Sequence, residues 1–244
     1  MSIKIIASIE ARMTSSRLPG KVLMHAAGIP FLDVMIQRVL KSRLIDDVVI
    51  ATTINKEDDP IVKLCEQNNY NYFRGSELDV LNRIFCAHEA MKTDIVVQLT
   101  GDCPLIDPYI IDETIKLFLS NEDIGYAASV QTPTRLIPDG MDVVVFKFDE
   151  LKSIEASHQN ELYREHPPLA FEDKFLNNNL RMQLQERFKR DYFLRITLDN
   201  KFDYMLMKEV HEALSVKNDN YGLEDILKYF DTNKEKIMSE ERFA

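Results

Sequence analysis

Three apolar runs of strand length, Ile3 to Ile9, Val48 to Thr53 and Ile95 to Leu99, are separated by segments with helical periodicity. Phe31, Leu32, Met35, Ile36, Val39 and Leu40 recur at helical spacing, as do Leu81, Ile84, Phe85 and His88 after Ser76, a suitable N-cap. Strands alternating with single helices predict an α/β fold, with a mainly parallel central sheet flanked by helices on both faces. In such sheets ligands sit beyond the carboxyl ends of the strands.

After Gly125 the texture changes. Tyr126 to Val130 and Asp142 to Phe148 read as strands around a turn-rich loop containing Pro133, Pro138 and Gly140. Residues 149 to 190 are polar and mostly helical in pattern, broken at an extended turn, His166-Pro167-Pro168. Phe193 to Leu198 reads as a further strand, followed by helices over Phe202 to Leu214 and Leu223 to Tyr229. The expectation is one domain over 1–244, with 125–192 as an inserted substrate or dimerisation subdomain.

Composition narrows the classes. The 30 basic and 40 acidic side chains give a net charge of −10 with no basic block, a poor match to nucleic-acid phosphates. No apolar run reaches the roughly 18 residues of a membrane helix, and the first residues do not read as a signal peptide. Cys65, Cys86 and Cys103 are odd in number and lack C-x-x-C spacing, which fits a reducing cytoplasm better than a disulfide framework.

The short signatures of dinucleotide folds, P-loop NTPases, α/β-hydrolases and zinc proteases are absent. Chemistry gathers instead in three loops, each leaving a strand. The first, Glu10 to Lys21, holds Arg12, Arg17 and Lys21 with Thr14, Ser15 and Ser16. Guanidinium forks, an ammonium and free backbone N–H groups can cradle a polyphosphate; equally, the charges could simply be solvated. The second, Thr100-Gly101-Asp102-Cys103-Pro104, offers a carboxylate to a magnesium ion or to its own turn. Asp107, before Pro108, is better explained as a helix cap. In the third, Arg195 to Asp203, Asp199 could be a second metal ligand, while Asp203 suits a helix first turn.

These residues carry a family resemblance. Ala11-Arg12-x-x-Ser15-x-Arg17-Leu18-Pro19-Gly20-Lys21-x-Leu23 resembles the signature of the CMP-sugar synthetases, the cytidylyltransferases for 3-deoxy-manno-octulosonate and acylneuraminates. Gly28-Ile29-Pro30, Arg74-Gly75-Ser76, Asp79-Val80-Leu81-x-Arg83 and Thr100 to Leu105 follow in family order and match the spore-coat polysaccharide branch well. Pro138 to Val143, Arg164-Glu165-His166 and Arg195 to Asp199 complete the set.

The resemblance implies a nucleotidyltransferase fold akin to A-type glycosyltransferases, CTP and a sugar acceptor as substrates, Mg2+ as cofactor and a homodimer through the inserted strands. It implies that Arg12, Ser15, Arg17 and Lys21 bind the triphosphate, and that Arg74, Asp79 and Gly101 lie near the nucleotide. Asp102 and Asp199 would hold the metal, with Arg17, Lys21 and Asp102 serving catalysis. Arg135, Asp142, Arg164 and His166 would face the sugar. Two departures fall on that side: Val144 stands where relatives often carry an acid, and Pro167-Pro168 replaces the usual Val-Thr.

The implied reaction is cytidylyl transfer to an acidic sugar, releasing pyrophosphate, for surface polysaccharide or glycan synthesis. A nucleotide-sugar glycosyltransferase is the rival, but the expected Asp-x-Asp reads Asp102-Cys103-Pro104. A catalytically inactive nucleotide-binding partner is a third reading, opposed by the retention of both Asp102 and Asp199. His158, Glu161, Glu165 and His166 could share a metal site, although a solvated helix face explains them better. His25, His88 and His211 have no partners in sequence.

Overall fold

A computed structural model describes residues 3–121, 123–129, 137–157, 159–175, 179–181, 186–190, 192 and 194–238. The opening apolar run forms β1 (Ile5–Glu10), whose side chains divide between the two faces of a sheet. Ile5, Ala7 and Ile9 join the large core on one face, and Ile6 packs with a smaller cluster on the other. This strict alternation of inward contacts is the period-two geometry of a strand covered on both faces.

Next come β2 (His25–Ala26) and β3 (Ile29–Pro30), an antiparallel pair turning through Ala27 and Gly28, both at positive φ. α1 (Phe31–Val39), β4 (Asp47–Thr53), α2 (Asp59–Asn68), β5 (Asn71–Gly75), α3 (Val80–Met91) and β6 (Ile95–Thr100) follow. α4 (Pro108–Leu119), β7 (Tyr126–Ala128), β8 (Val144–Lys147), α5 (Phe148–Ser157), α6 (Glu161–Glu165) and α7 (Pro167–Lys174) come after them. The remaining elements are β9 (Asn179–Arg181), α8 (Lys201–Ser215) and α9 (Leu223–Met238).

Seven strands form one sheet in the order β5-β4-β1-β6-β8-β7-β9. Each described pairing in it is parallel except the two that β8 makes. Residues 125–192 thus place their strands in the main sheet. Side chains from α1, α2, α4, α8 and α9 fill the large core on one face. Leu81 and Ile84 of α3, Leu151 and Ile154 of α5 and Phe171 of α7 pack on the other, where Phe146 and Phe171 stack at 3.8 Å. The chain runs outward from β1 to β4 and β5, then returns to β6 on β1's other side. The strand order therefore reverses between β1 and β6, and their carboxyl ends open a crevice there.

Three local expectations are corrected. Asp79, not Ser76, caps α3 by accepting from Asn82 N at 3.0 Å; Ser76 Oγ instead accepts from Asp79 N and shapes the preceding turn. Pro167 and Pro168 open α7, because proline's missing N–H costs nothing in a first turn; His166 alone separates α6 from α7. The described part of Phe193 to Leu198 is not a strand. It makes a single parallel bridge, Arg195 beside Asp139, where Gly140 at φ 104° bends its chain while lying close against the Ile196 carbonyl.

Candidate active site

The loops after β1 and β6 meet over the crevice. Gly101 N donates to the Glu10 carbonyl at 2.9 Å, and a Cβ on Gly101 would lie 2.6 Å from that oxygen. Only glycine permits this approach. The first loop is pinned along its length. Met13 N donates to Asp58 Oδ1 at 2.6 Å, Gly20 N to the Met13 carbonyl at 2.8 Å, and Thr14 Oγ1 to Glu77 Oε1 at 2.7 Å. Gly20 takes φ 73°, which turns the chain so that Lys21 points back into the cleft.

Asp199 arrives from the far end of the chain. Leu198 N donates to the Asp102 carbonyl at 2.7 Å, which sets the two acids side by side. Lys21 Nζ lies 3.1 Å from Asp199 Oδ1 and 3.4 Å from Asp102 Oδ2, bridging them. Arg17 Nη2 reaches Asp199 Oδ1 at 2.9 Å, while Arg195 Nη1 and Thr197 Oγ1 donate to Oδ2 at 2.8 and 3.1 Å. Burial pushes the Asp199 pKa up, but Lys21, Arg17 and Thr197 outweigh it and hold the carboxyl below its usual value. Asp203 closes the α8 capping box with Asn200 and takes both Nη2 contacts of Arg195, at 2.6 and 2.7 Å, so it is structural.

The resulting cleft is about 420 Å³ and is lined by Arg12, Ser15, Arg17, Lys21, Gly101, Asp102, Asp199 and His166. Four sequence candidates stand outside its lining. Arg74 donates to the Thr53 and Asn55 carbonyls and pairs with Asp59, fastening β5. Asp79 caps α3 and holds Arg164 at 2.6 Å, a join between α3 and α6. Asp142 lies near buried Cys103, whose thiol is pushed up by burial first and then by Asp102 and Asp142. Arg135 and His158 lie outside the described residues. Asp107 caps α4 as expected, accepting from Tyr109 N at 2.8 Å.

Glu10, Glu77 and Arg83 also line the cleft and were not singled out as site residues from sequence. A clear signal existed for Glu10, an acid closing an otherwise apolar strand. Its pKa is raised to about 7, by burial first, against the opposing pull of the Gln98 hydrogen bond and the Arg83 charge. A carboxyl tuned there exchanges a proton near neutrality. His88 and His211, by contrast, are core residues bonded to Thr93 and Tyr221.

Three of the cleft's cations are paired internally: Arg12 with Glu77, Arg17 with Asp199, and Lys21 with both Asp102 and Asp199. A polyanion entering it would exchange for those carboxylates. Among the described residues no group of three or more His, Cys, Asp or Glu gathers to hold a metal. Asp102 and Asp199 are a hard-oxygen pair of the kind that binds magnesium when phosphate oxygens complete the shell.

A mixed sheet thus carries a cationic loop after its first strand, facing two carboxylates across the reversal point, and comparison with known proteins places this arrangement among the nucleotidyltransferases. A solved cytidylyltransferase from Leptospira borgpetersenii superposes at TM-score 0.86 and 28% identity, covering 100% of both chains. The CMP:2-keto-3-deoxy-manno-octonic acid synthetase complexed with CTP shares the fold at TM-score 0.61 and 16% identity, over 88% of this chain and 99% of that one. The spore coat polysaccharide biosynthesis protein SpsF of Bacillus subtilis is 30% identical over 222 residues, 88% of this chain and 89% of its own. The cytidylyltransferase family model matches residues 6–237. The chain belongs to the cytidylyltransferase family and is an enzyme of that class.

Proposed function

We propose that the enzyme activates an acidic sugar with CTP, giving a CMP-sugar and pyrophosphate for surface polysaccharide or glycan synthesis. The observation that carries this reading is the convergence of Arg17, Lys21, Asp102 and Asp199, from three loops, in one ion-pair network at the β1/β6 crevice. The family and the spore-coat relative support the nucleotide and the pathway class.

In this mechanism a sugar oxygen attacks the α-phosphorus and pyrophosphate departs in line. Arg17 and Lys21 leave their carboxylates to hold the β- and γ-phosphates, while Arg12 and Ser15 secure the loop's other end. Asp102 and Asp199 would hold Mg2+, which supplies further neutralisation of phosphate charge. Glu10 takes up the proton released by the acceptor. His166, exposed on the α6/α7 hinge and lining the cleft, meets the sugar. The protein's contribution is positioning and charge compensation more than covalent chemistry. The reading further includes a cytoplasmic homodimer joined through 125–192, a segment that holds both the β9 edge and His166.

The direct test measures pyrophosphate release with CTP, Mg2+ and a panel of acidic sugars. Turnover with CTP in excess of UTP, ATP and GTP is expected. Silence with every acceptor and nucleotide would overturn the reading, and release of a nucleoside diphosphate would replace it with glycosyl transfer.

A further inference from the structure

A second cavity, about 590 Å³, lies between the end of α1, the first half of α4 and the turn leading into α9. It shares no lining residue with the nucleotide cleft. Four cations border it, Arg38, Lys41, Arg43 and Lys116, against two carboxylates, Asp107 and Asp112. This sign is contrary to the chain's net charge of −10.

Both carboxylates are already occupied. Asp107 accepts from Tyr109 N and Leu223 N at 2.8 and 2.5 Å, and Asp112 from Ser42 Oγ and Arg43 N at 2.5 and 3.1 Å. The cations are less completely matched. Arg38 is only 4% exposed, yet no carboxylate pairs with it among the described residues. Its Nε donates to the Ile106 carbonyl at 2.9 Å and Nη2 to the Tyr221 carbonyl at 3.1 Å, with the guanidinium 4.2 Å from the Tyr221 ring. Among the described residues no acceptor takes Nη1, and Arg38 lines this cavity as well as a smaller one toward His211.

A buried cation compensated only by carbonyl dipoles retains a strong attraction for an anion. That field is felt locally: burial first, and then the Arg38 charge, lower the pKa of His211 across the Tyr221 ring. Arg43 is exposed at the rim, and among the described residues its guanidinium makes no ion pair. Lys41 and Lys116 make only exposed pairs with Asp219 and Glu113, which a competing anion can exchange. The volume exceeds what a bare phosphate ion fills and suits a small organic molecule.

We propose that this cavity is a second anion site, separate from the nucleotide cleft, which binds a small phosphorylated metabolite through its phosphoryl group. Arg38 and Arg43 would supply charged forks to the phosphoryl oxygens, with Lys116 and Lys41 at the rim.

The test is calorimetric titration of the full chain with glucose 6-phosphate, inorganic phosphate and glucose, with and without saturating CTP. Saturable binding of glucose 6-phosphate is expected, tighter than inorganic phosphate, absent for glucose and unaffected by CTP. Arg43→Ala with Lys116→Ala, both at the rim and outside the core, should weaken it by about tenfold or more. CTP binding by the same double variant should be unchanged, which also shows that it is folded. No saturable binding, full affinity in the double variant, or displacement by CTP would each overturn the second site. Equal affinity for inorganic phosphate would overturn the metabolite assignment. None of these readouts depends on the acceptor sugar or on turnover.

Discussion

At the residue scale, the two acids of the cleft are not equivalent. Asp102 is met by Lys21, whereas Asp199 is held by Lys21, Arg17, Arg195 and Thr197. Both Asp102→Asn and Asp199→Asn should nearly abolish pyrophosphate release, and the double variant should be little worse than either single, because residues acting as a unit are not additive. Their stabilities should diverge. Two unpaired like charges would repel, but with Lys21 between them the repulsion is already compensated. Asp199→Asn should instead cost on the order of 1.5–3 kcal/mol at neutral pH, and Asp102→Asn less. Because the folded pKa of Asp199 is depressed, its contribution is present above the usual value of 3.8 and lost as pH falls below it. Thermal melts of the two variants at pH 7 and pH 3 would show this; equal losses at both pH values would contradict it.

At the element scale, the site depends on two strand ends being held closer than a side chain allows. Gly101→Ala would set a Cβ 2.6 Å from the Glu10 carbonyl and 3.3 Å from Ala11 Cβ, both backbone-anchored. The β6 loop must then move away, carrying Asp102 from Lys21. Turnover should fall at least tenfold with the sheet retained by circular dichroism, since small misplacements at a reacting centre have large kinetic cost. Unchanged kinetics would show that the loops tolerate separation. The strongly apolar strands β1, β4 and β6 were legible because burial on both faces leaves little room for polar residues. β5 and α2 were not, since β5 is an edge strand with no fully buried residue and α2 carries just two buried side chains, Ile61 and Cys65. The loop motifs named Arg17, Lys21, Asp102 and Asp199, which the structure brings to one cleft. Arg74 and Asp79 stand outside its lining, where a carbonyl pair and a helix cap, visible only in three dimensions, engage their side chains. β7 also stops early, because the Ser129 hydroxyl takes the Val143 N–H and donates to the Met141 carbonyl.

For the whole molecule, stability against pH carries the imprint of two buried groups acting in opposite senses. Glu10 is raised to about 7 from 4.5, so the unfolded chain ionises first and folding weakens as pH climbs between those values. His88, lowered to about 3 by burial, weakens folding as pH falls below 6.5. The two partly cancel in the native protein, and the difference between native and Glu10→Gln isolates the first. Relative to the native protein, the variant should gain on the order of 1–3 kcal/mol between pH 4.5 and 7. Denaturant midpoints at those two pH values measure it, and a constant difference would remove Glu10 from the account. A last feature bears on how the enzyme is made. The Asp107 carboxylate closes the loop that begins at Asp102, caps α4 through Tyr109 N, and accepts from Leu223 N at the start of α9. On the ribosome, this loop emerges long before Leu223 does. Until then one of its oxygens lacks its donor, and α9 contributes nothing to the core beneath. This edge of the cleft is thus completed only after Leu223 has been made, more than a hundred residues after the loop it fastens.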